Sequence, residues 1–224
     1  SLSNSIWLDK WLLELHVSYP ANSINTSSLK NSVFTESSKD LKSIKIPELK
    51  KEISPIVFGC DNQINEVHAF AMFDYYYSKG GRVFDTAYIY NHGLSDKYLG
   101  DWINSRDLKD VVVLGKGAHT PDCLPDKIKP QIEESLSRGN IDKLDIYCLH
   151  RDNLDVPVTE FIDALNECKN DGLIDMLGAS NWELERFKLA NDYAEDQEKE
   201  SFKVLSNNFS LARMIEPVWP GCFS

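Results

Sequence analysis

Six short apolar runs recur along the chain at nearly even spacing. They are Ile56-Val57-Phe58-Gly59, Arg82-Val83-Phe84-Asp85, Val111-Val112-Val113-Leu114, Leu144-Asp145-Ile146-Tyr147, Ile174-Asp175-Met176-Leu177 and Lys203-Val204-Leu205-Ser206, starting at 56, 82, 111, 144, 174 and 203. Short runs rich in valine and isoleucine read as buried strands. Between them the apolar residues switch to helical spacing. Residues 130–138 put Ile132 and Leu136 on one face, residues 158–168 put Phe161, Leu165 and Cys168 at i, i+4 and i+7, and residues 183–194 form a third such stretch. A strand–helix unit repeating about every 30 residues predicts parallel strands joined by right-handed crossovers. Two α/β architectures satisfy this: an open doubly wound sheet or a (β/α)8 TIM barrel. No G-x-G-x-x-G follows the first strand, which weighs against the dinucleotide-binding sheet. A complete barrel takes ~250 residues, whereas residues 53–224 number 172. The expected fold is therefore an incomplete barrel of about six units, lacking strands seven and eight.

The first 43 residues do not share this rhythm. Residues 6–17 are apolar and aromatic, with Trp7, Trp11 and Leu12, and residues 18–40 turn polar, with Pro20, Asn22, Ser27 and Asn31. This reads as the end of a preceding domain followed by a linker; the alternative is an ordered extension packed on the barrel, which itself spans 44–224. Ile44-Lys45-Ile46-Pro47 and Ile53-Ser54-Pro55-Ile56 look like two extended pieces flanking a polar turn.

Composition narrows the function classes. Hydrophobic residues at 42% are enough to build a core, which excludes disorder as the main state. Lys and Arg number 24 against 35 Asp and Glu, a net charge of −11, so a nucleic acid gripped through a basic face is not expected. No apolar run approaches the ~18–20 residues that cross a bilayer, and the start has no basic segment followed by a clean apolar stretch, so neither a membrane partner nor a signal peptide is expected. Five cysteines, Cys60, Cys123, Cys148, Cys168 and Cys222, stand far apart without a C-x-x-C, which suits a reducing cytoplasm better than a disulfide scaffold.

The chemistry gathers at strand ends. In a parallel barrel the functional residues lie at the carboxyl ends of the strands. Strand two ends at Asp85, with Tyr90 five residues on; strand three ends with Lys116, strand four with His150 and strand five with Ser180-Asn181-Trp182. A free tyrosine has a pKa near ~10, too high for an efficient acid at neutral pH. A neighbouring Lys116 ammonium is expected to lower it, Asp85 to hold Lys116, and His150 to orient a substrate carbonyl oxygen. Such a set suits a carbonyl that takes a hydride on carbon and a proton on oxygen. The plainer alternatives are a structural Asp85–Lys116 ion pair, a core role for His150, and Ser180-Asn181 as a helix N-cap. His119 and Cys123 do not have the spacing of a typical zinc pair, so no metal is expected. Trp182 reads as packing.

With these residues in place the chain resembles the aldo-keto reductase family. The likeness rests on Ser54-Pro55-Ile56-Val57-Phe58-Gly59, Phe84-Asp85-Thr86-Ala87-Tyr88-Ile89-Tyr90, Leu114-Gly115-Lys116, Glu134-Ser135-Leu136, Asp145-Ile146-Tyr147-Cys148-Leu149-His150, and Gly172 with Gly178-Ala179-Ser180-Asn181, over roughly 70% of the chain. The resemblance implies a (β/α)8 barrel, NADP(H) as the usual cofactor with NAD(H) as the alternative, and a small carbonyl or alcohol substrate. It implies Asp85, Tyr90, Lys116 and His150 as a catalytic tetrad, Ser180 and Asn181 against the nicotinamide carboxamide, and Gly59 and Cys60 beside the cofactor. Three departures stand out. Strands seven and eight, which in the family carry the stacking aromatic and the residues binding the adenosine 2′-phosphate, are missing, so this stretch alone is expected to bind cofactor poorly. The other two are local. The family pattern Tyr-Gly-x-Ser-Glu is stretched by two residues in Tyr90-Asn91-His92-Gly93-Leu94-Ser95-Asp96, and the glutamine usual at the end of strand six is replaced by Ser206, Asn207 or Asn208. A polar rim of Asn91, His92, Arg151, Asp152 and Asn153 hints at a sugar-like substrate. The competing function is a nucleotide-binding regulatory subunit that senses the redox state of NADPH with little turnover. A metal-dependent barrel hydrolase would need a His-x-His where the chain has Gly59-Cys60-Asp61-Asn62.

Overall fold

The computed structural model describes residues 41–208, 215–217, 220 and 222. The predicted extension and linker therefore lie, almost entirely, outside the described residues. Six parallel strands stand side by side in chain order: β1 Val57–Gly59, β2 Val83–Asp85, β3 Val112–Gly117, β4 Leu144–Leu149, β5 Ile174–Ser180 and β6 Val204–Ser206. Five helices alternate with them: α1 Glu66–Ser78, α2 Leu94–Ser105, α3 Pro125–Gly139, α4 Val158–Asn170 and α5 Leu184–Asp196. The sheet curls into a half-barrel, the incomplete (β/α)8 form expected from the six-fold rhythm.

Strand periodicity sorts the side chains into two cores. Val83, Val112, Leu114, Ile146, Cys148 and Met176 pack together on the concave side. Residues of the opposite parity, including Phe84, Val113, Leu149, Leu177 and Ala179, pack against the helices. The concave parity continues upward to Asp85, Lys116, His150 and Ser180. Position 178 of that concave row is glycine because a Cβ there would come within 2.5 Å of Cys148 Sγ and 3.0 Å of Val204 Cβ. The middle strands outrun their apolar patterns by a few residues, since β3 carries Lys116 and β5 carries Ser180.

The floor of the half-barrel is closed by the segment before β1. Ile44 and Ile53 form an antiparallel bridge, which makes the two expected extended pieces a hairpin, and Leu49 at its tip is buried against the concave core. Lys51 donates to Val111 O at 2.7 Å and to Asp145 at 2.9 Å. Asp145 also accepts the Val113 N–H at 2.9 Å.

Helices α1 and α2 lie outside the three helical stretches read from the spacing, although α2 turns Tyr98, Leu99, Trp102 and Ile103 toward the core. In α1 Ala69, Phe73 and Tyr76 are buried while Val67 and Tyr75 are exposed, so apolar residues surround the helix and no stripe marks its inner face. Helix α2 crosses α3 at two glycines. A Cβ on Gly100 would fall 1.8 Å from Gly139 O, a backbone approach that only glycine permits.

Candidate active site

The four strand ends meet at the carboxyl end of the sheet. Register explains how. Asp85 lies opposite Leu114 on β3, and Lys116 lies opposite Cys148 on β4. Lys116 is thus one concave position above Asp85, and His150 one above Lys116, the stagger of tilted barrel strands. That stagger lets the Lys116 side chain reach down to Asp85. Lys116 Nζ lies 2.7 and 2.8 Å from the two Asp85 carboxylate oxygens and 2.8 Å from Tyr90 Oη. The Tyr90 and His150 rings meet edge to face at 5.5 Å. The His150 N–H extends the ladder to Gly117 O at 2.6 Å.

Tyr90 is placed by the loop after β2. The ladder runs past the strand, with Thr86 N–H donating to Leu114 O at 2.8 Å and Tyr88 N–H to Lys116 O at 2.7 Å. Behind the loop, Thr86 Oγ1 donates to the buried Asp96 at 2.7 Å, and Arg138 donates to Tyr88 O at 2.8 Å with its guanidinium 4.4 Å over the Tyr88 ring. After Tyr90 the backbone turns left-handed at three successive residues, with φ of 47° at Asn91, 55° at His92 and 87° at Gly93. A Cβ on Gly93 would strike the Arg138 guanidinium at 2.6 Å.

Burial reverses one expectation. Lys116 does pull the Tyr90 hydroxyl toward ionisation, but burial is the larger effect and Asp85 adds to it, so the pKa rises to about 12. Tyr90 is therefore a neutral phenol at physiological pH, and not one poised near neutrality. Burial opposes the charge on Lys116, yet Asp85 and Tyr90 outweigh it and hold the ammonium above the ordinary lysine range. Burial raises Asp85, against the pull of Lys116. His150 is pushed well below the usual imidazole range, by burial first and then by Lys116, His119 and Arg151. It is neutral, and its buried Nδ1 has no hydrogen-bond partner among the described residues.

The other predicted positions fall around this group. Ser180 Oγ donates to Ser206 O at 3.0 Å, and Asn181, at a φ of 59°, donates from Nδ2 to Ser180 Oγ at 3.0 Å. They do not cap a helix: α5 begins at Leu184, with Glu183 at its N-cap and no side-chain bond there. Ser206 contributes its carbonyl. Asn207 is spent on the Trp182 backbone, accepting its N–H at 3.2 Å and donating to its carbonyl at 2.8 Å. Trp182 is fully buried, as packing requires. Gly59 ends β1, and the Cys60 N–H donates to Asp85 O at 2.9 Å; burial raises the Cys60 thiol well above its usual range.

The polar rim is thinner than the sequence implied. Asp152 is drawn into an ion pair with Arg186 at 2.6 Å, Asn153 donates to Cys123 O at 3.1 Å and Arg151 donates to Cys222 Sγ at 3.1 Å. Cys123 Sγ in turn donates to Arg151 O, and among the described residues no group of three His, Cys, Asp or Glu is placed to hold a metal. One contact is not readable from the sequence, which places His119 only in the loop after β3. His119 lies against His150, ring centroids 4.9 Å apart. Its signal was its position three residues beyond Lys116 at the same strand end.

Comparison with known proteins decides the family. The Aldo/keto reductase family model matches residues 56–218. The chain belongs to the aldo/keto reductase family. Among curated relatives of this reductase-family chain, norsolorinic acid reductase B of Dothistroma septosporum is 28% identical over 191 residues, covering 74% of this chain and 48% of its own. The aldo-keto reductase ausK of Aspergillus calidoustus is 29% identical over 164 residues, covering 66% and 41%. The chain thus spans about half the length of the curated relatives it matches. The crystal structure of a thermostable aldo-keto reductase, Tm1743, superposes with a TM-score of 0.60 at 21% identity, over 68% of this chain and 58% of that one. That likeness supports the barrel fold. Among the described residues no helix is long and apolar enough to cross a membrane.

Proposed function

We propose that this aldo/keto reductase chain carries the proton-transfer centre of an NADP(H)-dependent oxidoreductase acting on an aldehyde, a ketone or the matching alcohol. The observation that carries this reading is the contact line Asp85–Lys116–Tyr90, with the neutral His150 at its side, at the carboxyl end of the sheet. When bound, the nicotinamide supplies or accepts the hydride. Tyr90 holds a proton on Oη at neutral pH and gives it to the far more basic alkoxide oxygen that develops on reduction. The Lys116 ammonium beside it offsets the phenolate left behind, and Asp85 keeps Lys116 charged and in place. Neutral His150 offers one ring N–H to orient the carbonyl oxygen. Ser180 and Asn181 fit the cofactor: a hydroxyl and an amide, both uncharged and adjacent to His150, match the donor and acceptor of a primary carboxamide. Gly59 and Cys60 support Asp85 from the next strand, and Ser206 and Asn207 act one step back, through Ser180 and Trp182. NADP(H) over NAD(H), and the cytoplasm as compartment, rest on family resemblance and on five unpaired thiols. The test is Tyr90→Phe in the intact protein. NADPH-dependent carbonyl reduction is expected to collapse while NADPH affinity, titrated by fluorescence, holds. Loss of affinity would overturn the assignment, and a wild type that binds NADPH without turnover would favour the redox-sensing subunit.

A further inference from the structure

The residue after the turn closing β3 is presented with more care than a surface loop needs. Ala118 adopts a φ of 54°, a left-handed conformation rare for a residue with a Cβ. Its N–H donates to Gln131 Oε1 at 2.7 Å, and Gln131 is itself buried on α3. Such held outliers cluster where the chain must aim a side chain. Here the residue aimed is His119. Its ring stands edge-on to His150, at 4.9 Å and 78°, and His150 in turn stands edge-on to Tyr90 at 5.5 Å. Three rings from three successive strand ends therefore stand in a row, with the carbonyl-orienting imidazole in the middle.

The tautomer of His119 is set by its neighbour. Nδ1 lies 2.8 Å from Thr120 O, and a carbonyl only accepts, so Nδ1 carries the hydrogen and Nε2 is left as an acceptor in the neutral ring. His119 is only partly buried, and its ring stands beside that of His150. Cys123 does not share it in a metal site, because its thiol is committed to Arg151 O. We propose that His119 is a specificity-determining residue: its Nε2 accepts a hydrogen bond from a hydroxyl on the carbon next to the carbonyl held by His150. The substrate class is then α-hydroxy carbonyl compounds, or the diols they become on reduction. This rests on the carbonyl reductase reading above.

The experiment compares acetophenone with its α-hydroxy derivative in the intact protein, each with NADPH, for wild type, His119→Phe and His119→Gln. A site that bonds a substrate hydroxyl discriminates strongly against the analogue lacking it. The expected result is a wild-type preference for the hydroxy ketone in kcat/KM that falls about tenfold in His119→Phe, for the loss of one such bond. His119→Gln, whose amide oxygen can replace Nε2, keeps most of it. The comparison is a ratio within each variant, so a general loss of folded enzyme cancels. A wild type without preference, a ratio unchanged in His119→Phe, or turnover of other carbonyls but neither ketone would each overturn the proposal. If no carbonyl compound is reduced at all, the reductase reading itself fails and takes the inference with it.

Discussion

Two lysine–aspartate pairs stand at opposite ends of one sheet, Lys51 at the floor half-exposed and Lys116 at the mouth buried. At the floor, Lys51 meets Asp145, and both also bond to backbone: Lys51 to Val111 O, Asp145 to the Val113 N–H. At the mouth, Lys116 meets Asp85, and its third partner is the Tyr90 side chain. The first pair has spent its hydrogen-bonding capacity on the scaffold and locks a hairpin under the core. The second is joined to groups that titrate, next to an imidazole whose Nδ1 has no partner among the described residues. An ion pair absorbed by backbone is structural; one linked through side chains keeps the capacity to respond to a ligand.

The largest expected effect falls on the upper pair. Lys116→Met strands the Asp85 carboxylate in a buried site, a change that costs about 3–5 kcal/mol, and removes the charge that offsets the phenolate. Urea unfolding and carbonyl turnover are both expected to fall sharply. A variant of undiminished stability would show that the pair does not hold the mouth together. Tyr90→Phe separates the two roles: it deletes the proton while Lys116 and Asp85 stay paired, so turnover drops by about 10²–10⁴ with a melting temperature close to wild type. Lys51→Met tests the floor. It should lower stability by about 1–3 kcal/mol, because Asp145 loses a partner, and leave kcat/KM within about twofold. A large loss of turnover would break the contrast between the ends.

The smallest effects are in pH dependence. Tyr90 is lifted from near 10 to about 12, so reduction rates should show no tyrosine limb until pH approaches 12, and a fall centred near 10 would contradict its burial. His150 has the opposite sign. Its folded value lies below its unfolded one, so the unfolded chain takes up the proton first. That contribution to stability is complete above about pH 6.5 and is lost progressively as pH falls toward the folded value. Replacing His150 with Gln should flatten this acid-side slope in denaturation measured across the range; an unchanged slope would place the titration elsewhere.

Much of this was legible in the chain. The apolar runs located all six strands, and their spacing implied a parallel order. Strand parity alone puts Asp85, Lys116 and His150 on the same side as Val83, Leu114 and Cys148. Helix α1 is not legible, because apolar residues surround it; α2 carries a short stripe of Tyr98, Leu99, Trp102 and Ile103, but its seat on α3 depends on the Gly100–Gly139 approach, which spacing does not reveal. The sequence puts His119 in the loop after β3 and gives it no metal, but nothing in it reveals that Ala118 turns left-handed on Gln131 and sets the ring against His150. The polar rim was overestimated because Asp152 and Asn153 find partners in Arg186 and Cys123 that are distant in sequence.

Local periodicity by itself determined the strand rhythm, the concave parity and the residue types at the strand ends, since a period of two depends only on the extended backbone. The tertiary structure alone decided the one-position stagger that joins Lys116 to Asp85 and Tyr90. It also decided the depth of burial, and with it the direction of the Tyr90 shift. Lysine beside tyrosine argues for a lowered pKa, but the cost of charging a phenol away from water grows with every element packed over it, and no stretch of sequence records that sum.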